Sequence, residues 1–376
     1  MFRTYLYLAE LIRAELYDRK PAEKPEDIDW EKVFGLSGKH MVVSLAFGSI
    51  LKLQEKPQGK LYQMWKELAD KALVKEISFD AERGLILEAF EQAEIKYLPL
   101  KGIILKDYYP GPGLRQFSDN DILYDKSRQQ DVAEIMEGFG YEAEKDAGHH
   151  DVYKKPPIYN FELHTQILPH DNSCFGYFKD IWERALKDEN NDMGYHMSDE
   201  DFYLFHIVHL NKHFSGSGTG LRYFVDQYYL NRQMIRKADR KKLAEKLSEL
   251  EMLDFEMRVN ALTEILFGKS QVEWEHVFDG KEEYQEMFLY VMSCGAYGSF
   301  SNLVENRIRK SGSKWKYIIS RLTCDDVYMK RDYPVLKKLP WLKPVFLVWR
   351  LVSAPFRKTE RVKAEFRELF GRKKKF

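Results

Sequence analysis

Hydrophobic periodicity changes twice along this chain, and those changes limit the fold more than any other feature. Residues 1–75 read as helical. Leu8, Leu11, Ile12 and Leu16 recur at helical spacing, and Val43, Leu45, Ile50 and Leu53 follow it more loosely. Pro21, Pro25 and the stretch from Pro57 to Gly59 punctuate this region. From about residue 78 the pattern shifts. Leu85, Leu87, Ala89, Phe90 and Ala93 predict a helix ending near Glu94. A strand over 95–100, a short helix over 103–109, a Pro-Gly loop and a strand over 117–124 follow. Val132, Ile135, Met136 and Phe139 mark a further helix, and a hairpin across Pro156-Pro157 has residues 158–167 as its return arm. After residue 198 the chain returns to helices, opened by a Ser198-x-x-Asp201 capping box. The order α-β-α-β-α-β-β implies an α+β fold, a small mixed sheet between helical N-terminal and C-terminal regions. The expected organisation is 1–77, 78–195 and 196–376, with no internal repeat.

Charge and cysteine usage bound the setting. Lys+Arg and Asp+Glu number 59 each, so the chain as a whole exerts no electrostatic pull on nucleic acid, although a local basic patch remains open. Long nucleic acid is the least favoured partner. Cys174, Cys294 and Cys324 are widely spaced, without a CxxC pair, and read as thiols in a reducing compartment. Glu10 and Glu15 interrupt the first apolar stretch, which argues against a secretory signal. No stretch reaches the roughly 18–20 apolar residues of a membrane span. The expected location is the cytoplasm.

The chemistry lies in the period-2 region. Residues two apart on a strand share a face, so Asp119 and Asp121 are expected to point the same way. Two such carboxylates repel unless a cation or a proton sits between them, and the pair suits Mg²⁺. On the later strand, Asn160, Glu162, His164 and Gln166 form a polar face, and Tyr159, Phe161, Leu163 and Ile167 an apolar one. Glu162 is thus a candidate third carboxylate, although a solvated strand end would give the same spacing.

Over residues 80–170 these words, Leu100-Lys101-Gly102, Asp119-Asn120-Asp121 and Phe161-Glu162-Leu163-His164 with Arg115 ahead of the Asp pair, resemble the nucleotidyltransferases of the DNA polymerase-β superfamily. The likeness is to a bacterial branch of largely uncharacterised members. It implies metal-dependent transfer of an NMP from an NTP, ATP favoured, to an acceptor hydroxyl or phosphate. Two Mg²⁺ (or Mn²⁺) ions would sit on Asp119, Asp121 and Glu162. Lys101, Gly102, Arg115 and Ser118 would bind the nucleotide. Two positions depart from the pattern: Lys101-Gly102 replaces the usual Gly-Ser, and Asn120 stands where an apolar residue is commoner. A nucleotide-binding or regulatory protein of the same fold without turnover is one alternative, and a membrane-surface accessory protein that uses the C-terminal segment is another.

Other residues are less specific. His164 shares the face of Glu162 and either orients that carboxylate or fills a structural role. His206, His209 and His213 lie on one helix face without a His-Glu-x-x-His pattern, and read as packing rather than zinc. His209, His213, Arg222 and Asp226 are candidate contacts to the second substrate. In residues 333–358, Pro340-Trp341-Leu342, an apolar run from Val345 to Trp349, and Arg350, Pro355, Arg357 and Lys358 suit either a helix packed on its domain or peripheral membrane contact. Residues 371–376 read as a basic tail.

Overall fold

The computed structural model describes residues 1–144, 150–235, 239–269, 273–323, 329 and 333–353. Cys324, Pro355, Arg357, Lys358, residues 371–376 and the Arg350 side chain lie outside the described residues. Four helices open the chain: α1 (Phe2–Leu16), α2 (Trp30–Lys39), α3 (Val43–Ile50) and α4 (Gly59–Gln92). α2 is capped by the Asp29 side chain, which accepts from the Glu31 N–H. α4 runs unbroken for 34 residues, where periodicity alone suggested two segments meeting near residue 78. Trp65, Glu76, Phe79, Ile86 and Phe90 are its buried side chains, and they follow its whole length.

The alternating stretches form a five-stranded mixed sheet, the α+β architecture expected. Its strands are β1 (Tyr97–Pro99), β2 (Asn120–Tyr124), β3 (Glu142–Glu144), β4 (His150–Lys155) and β5 (Tyr159–His164), in the order β1-β2-β5-β4-β3. β2 runs parallel to β5, with Asn120, Asp121, Ile122 and Leu123 opposite Phe161, Glu162, Leu163 and His164. The other pairings are antiparallel. The ladder onto β5 starts at Asn120, so β2 begins three residues later than the strand expected over 117–124. Phe117 is instead buried against the Phe79 ring, 5.5 Å between centroids. β3 was not legible, because all three of its residues are exposed and carry no alternation.

Each face of the sheet has its own core. Ile122, Tyr124, Phe161 and Leu163 cluster with Ile86 and Phe90 of α4 and with Val132 and Met136 of α6 (Gln129–Gly138). On the opposite face Leu98 and Leu123 cluster with Tyr203, Leu204 and Ile207 of α8 (Asp199–Phe214). α8 begins as the capping box implied, with the Asp201 N–H donating to Ser198 Oγ at 3.1 Å. Asp121, Glu162 and His164 fall on this second face, because they alternate with the residues of the first.

The chain divides into two compact units, Met1–Asn211 with Gly220–Ala296, and Lys212–Thr219 with Tyr297–Phe376. The first holds the sheet, and it includes α9 (Leu221–Tyr229) and α11 (Leu253–Phe267). The second holds helices at Phe300–Ser311, Lys314–Thr323 and Lys343–Ser353. In it, Asn306 Nδ2 donates to the Gly216 carbonyl at 2.8 Å, and the Tyr333 and Phe346 rings meet at 4.7 Å. No described helix is long and apolar enough to cross a membrane.

Candidate active site

The parallel register sets Asp121 directly beside Glu162. Neighbours in register point to the same side of a sheet, so the two carboxylates and His164 converge. One ligand atom from each of Asp121, Glu162 and His164 lies within 4.8 Å of the others. His164 Nε2 is 2.8 Å from Asp121 Oδ1 and 3.9 Å from Glu162 Oε2. Lys101 Nζ donates to the same Asp121 oxygen at 2.5 Å. Asp119 precedes the ladder and stands outside that close group among the described residues. Its charge still acts on Lys101 and Glu162, and the Ser118 hydroxyl donates to it.

Electrostatics separate the carboxylates. Burial would raise the pKa of Asp121, but Lys101 and His164 outweigh it and hold the carboxyl well below its usual range. Glu162 has no such escort. Burial first, then the charges of Asp121 and Asp119, push it up to about 8. Asp119 is also raised, by burial and by Asp121, against the opposing pull of Lys101 and Arg222. Burial works against the charge of Lys101, yet Asp121, Asp119 and Glu162 together raise its pKa. Three carboxylates crowd one ammonium, and the raised pKa of Glu162 reflects the cost of ionising all three together.

The turn that delivers Lys101 is unusual. Its φ of +47° lies in a region unfavourable for a residue with a Cβ. The Lys101 carbonyl accepts from the Leu105 N–H at 3.0 Å and starts the short helix α5 (Gly102–Leu105). At Gly102 a Cβ would meet Arg115 Nη1 at 2.7 Å, so only glycine lets the guanidinium lie there. Arg115 itself forms a buried fork with Asp226, Nε to Oδ1 at 2.7 Å and Nη2 to Oδ2 at 2.9 Å. The Tyr109 hydroxyl donates to the same carboxylate at 2.8 Å. Two of the guanidinium's nitrogens are therefore engaged in tying the loop before β2 to α9, rather than open to a phosphate.

The remaining sequence candidates scatter. Arg222 Nη1 donates to the Gln116 carbonyl at 2.6 Å, and its charge reaches Asp119 and Asp226. His206 is buried beside Asp226 and Arg115, and burial drives its pKa down to about 4. The His209 ring packs 5.8 Å from Phe205 and 6.3 Å from Tyr223. His213 belongs to the second compact unit. Two residues near the site carried no sequence signal, and both come from α4. The charge of Lys75 bears on Asp119, while its Nζ lies 4.8 Å from the Phe79 ring centroid. Arg83 Nη1 donates to Asn120 Oδ1 at 3.0 Å. That bond explains a polar residue between the two aspartates: Asn120 is fully buried on the opposite face and would otherwise leave its carbonyl without a donor.

Compared with known families, residues 26–268 match one described as "Uncharacterised nucleotidyltransferase". No curated protein and no solved structure matches the chain.

Proposed function

Because the chain belongs to this family of uncharacterised nucleotidyltransferases, we propose that it transfers an NMP from an NTP, ATP favoured, to an acceptor hydroxyl or phosphate using Mg²⁺ or Mn²⁺. The observation that carries this reading is the convergence of Asp121, Glu162 and His164 on one face of two parallel strands, with Asp119 close by. The donor set fits the metal. Carboxylate oxygens with a single imidazole suit a hard, oxygen-preferring cation, and a cation there would let Glu162 ionise beside Asp121 and Asp119. Asp121 and Glu162 would hold it, joined by Asp119 from the segment just before β2. A pair of bound ions would lower the pKa of the acceptor hydroxyl and offset charge on the departing pyrophosphate.

The protein's own groups do the rest. Lys101 and the Gly102 N–H hold the triphosphate, with Ser118 beside them. Glu162, once a bound cation displaces its proton, would aid deprotonation of the acceptor, directly or through the metal, and His164 orients Asp121. Arg115 and Asp226 act by positioning the loop that carries Ser118 and Asp119. Arg222, whose charge reaches Asp119, is our candidate contact to the acceptor, together with His209. We assign the chemistry to residues 78–195, flanked by the helical regions 1–77 and 196–376. Cys174 and Cys294, buried and unbridged, support a cytoplasmic setting.

The contact from Lys101 to Asp121 favours a second reading, in which the ammonium replaces the metal and the protein binds nucleotide without turnover. Pyrophosphate release from each NTP, with Mg²⁺ or Mn²⁺ and a panel of small hydroxyl acceptors, separates the two. Transfer predicts metal-dependent release that falls at least about 100-fold in Asp121→Asn. Saturable NTP binding with no release under any condition would instead support the second reading.

A further inference from the structure

The balance of 59 cations against 59 anions conceals a segregation along the chain. Residues 297–376 carry 21 Lys and Arg against 7 Asp and Glu, whereas residues 1–296 carry 38 against 52. The basic segment lies wholly outside the matched residues 26–268 and makes up most of the second compact unit. Large apolar side chains stand in water on that same segment. Trp315 and Trp341 are each 72% exposed and Trp349 is 59% exposed. Val345, Val348 and Trp349 sit at i, i+3 and i+4, so they line one face of the helix Lys343–Ser353, and none of them is buried. Trp315 and Ile319 repeat the arrangement one turn apart on the helix Lys314–Thr323. Lys316, Lys337 and Lys338 are exposed around these residues.

We propose that this C-terminal unit docks on an anionic lipid surface. Tryptophan prefers the headgroup boundary, where its ring is apolar and its N–H is wet. Lysine stems lie along the apolar surface while their ammonium groups meet anionic headgroups. Nucleic acid suits the charge but not the whole face. Valine and isoleucine offer bases no π surface to stack on, whereas hydrocarbon accepts them readily. A second copy of the same face is disfavoured by like charge, since each would bring the same cationic excess.

Sedimentation of the full chain with vesicles tests this. One set is phosphatidylcholine alone, and the other contains about 30 mol% phosphatidylglycerol. The protein should pellet with the anionic set only, and salt should weaken the binding. Lys337→Glu with Lys338→Glu should reduce binding at least about 25-fold, taking about fivefold per lysine removed. Trp315→Ala, Trp341→Ala and Trp349→Ala together should reduce it at least about tenfold. All five positions are exposed, and circular dichroism of each variant checks the fold. No binding to anionic vesicles, or a tryptophan variant that binds as the parent does, overturns the proposal. So does tighter binding to a polyuridine oligonucleotide than to vesicles, which would assign the surface to nucleic acid.

Discussion

Asp121 and Glu162 are register neighbours whose surroundings differ, so their amides should have opposite effects. Asp121 is paired with Lys101 and His164. Asp121→Asn leaves a half-buried ammonium short of its main partner and should lower metal-free stability by about 2–3 kcal/mol. Glu162 is held neutral by burial and by the neighbouring carboxylates, with its pKa pushed up to about 8. A carboxyl raised in the folded state contributes its full share of stability below its unfolded pKa, and loses it as pH rises through the folded one. Glu162→Gln should therefore match the parent near pH 4.5 and exceed it by roughly 1–2 kcal/mol at pH 8.5. Urea unfolding at both pH values checks the pair, and a Glu162→Gln variant less stable than the parent at high pH would contradict the assignment. The faces of Asp121, Glu162 and His164 were legible because strand alternation fixes them from local sequence. Lys75 and Arg83 were not, because they reach the site only through the packing of a long helix that begins at Gly59.

At the scale of elements, the Arg115–Asp226 fork joins the loop before β2 to α9. Both groups are buried, and the contact is bidentate. Lysine cannot reproduce the planar fork. Arg115→Lys should cost about 3–5 kcal/mol in urea unfolding and should also loosen metal binding, since the loop carries Ser118 and Asp119. A variant of unchanged stability would show that the fork is dispensable. The sequence placed Arg115 beside the aspartates and so suggested a phosphate ligand. Its partner lies 111 residues downstream, a distance over which spacing carries no information. The sheet was legible in the return arm of its hairpin, where apolar and polar residues alternate over Tyr159–His164, and in β1 and β2 as short apolar runs beside turn residues, β2 being buried at every position. The full length of α4 was not, because its exposed Val74, Ile77 and Leu85 blur the helical stripe.

Across the whole molecule, acid should destabilise through two buried imidazoles. His40 Nδ1 accepts the Leu221 N–H at 3.2 Å, and burial followed by the charge of Lys39 lowers its pKa to about 3. His206 is lowered to about 4, again by burial. Both are neutral in the native state, while an unfolded histidine takes a proton near pH 6.5. Stability should then fall as pH drops below about 6.5, by up to about 1.4 kcal/mol per pH unit for each histidine. The Glu162→Gln background removes the opposing contribution of that carboxyl, and a urea midpoint unchanged between pH 7 and pH 5 in that background would contradict the reading. Net charge hid the chain's other global property, since the totals cancel while the distribution does not. The central claim is that Asp121 and Glu162 hold a catalytic cation. It is tested most directly by titrating Mn²⁺ into the parent, Asp121→Asn and Glu162→Gln with a non-hydrolysable ATP analogue present, following free Mn²⁺ by electron paramagnetic resonance. The expected result is saturable binding by the parent, weakened at least about 100-fold in Asp121→Asn and at least about tenfold in Glu162→Gln. Parent-like Mn²⁺ binding by a folded Asp121→Asn variant would contradict it.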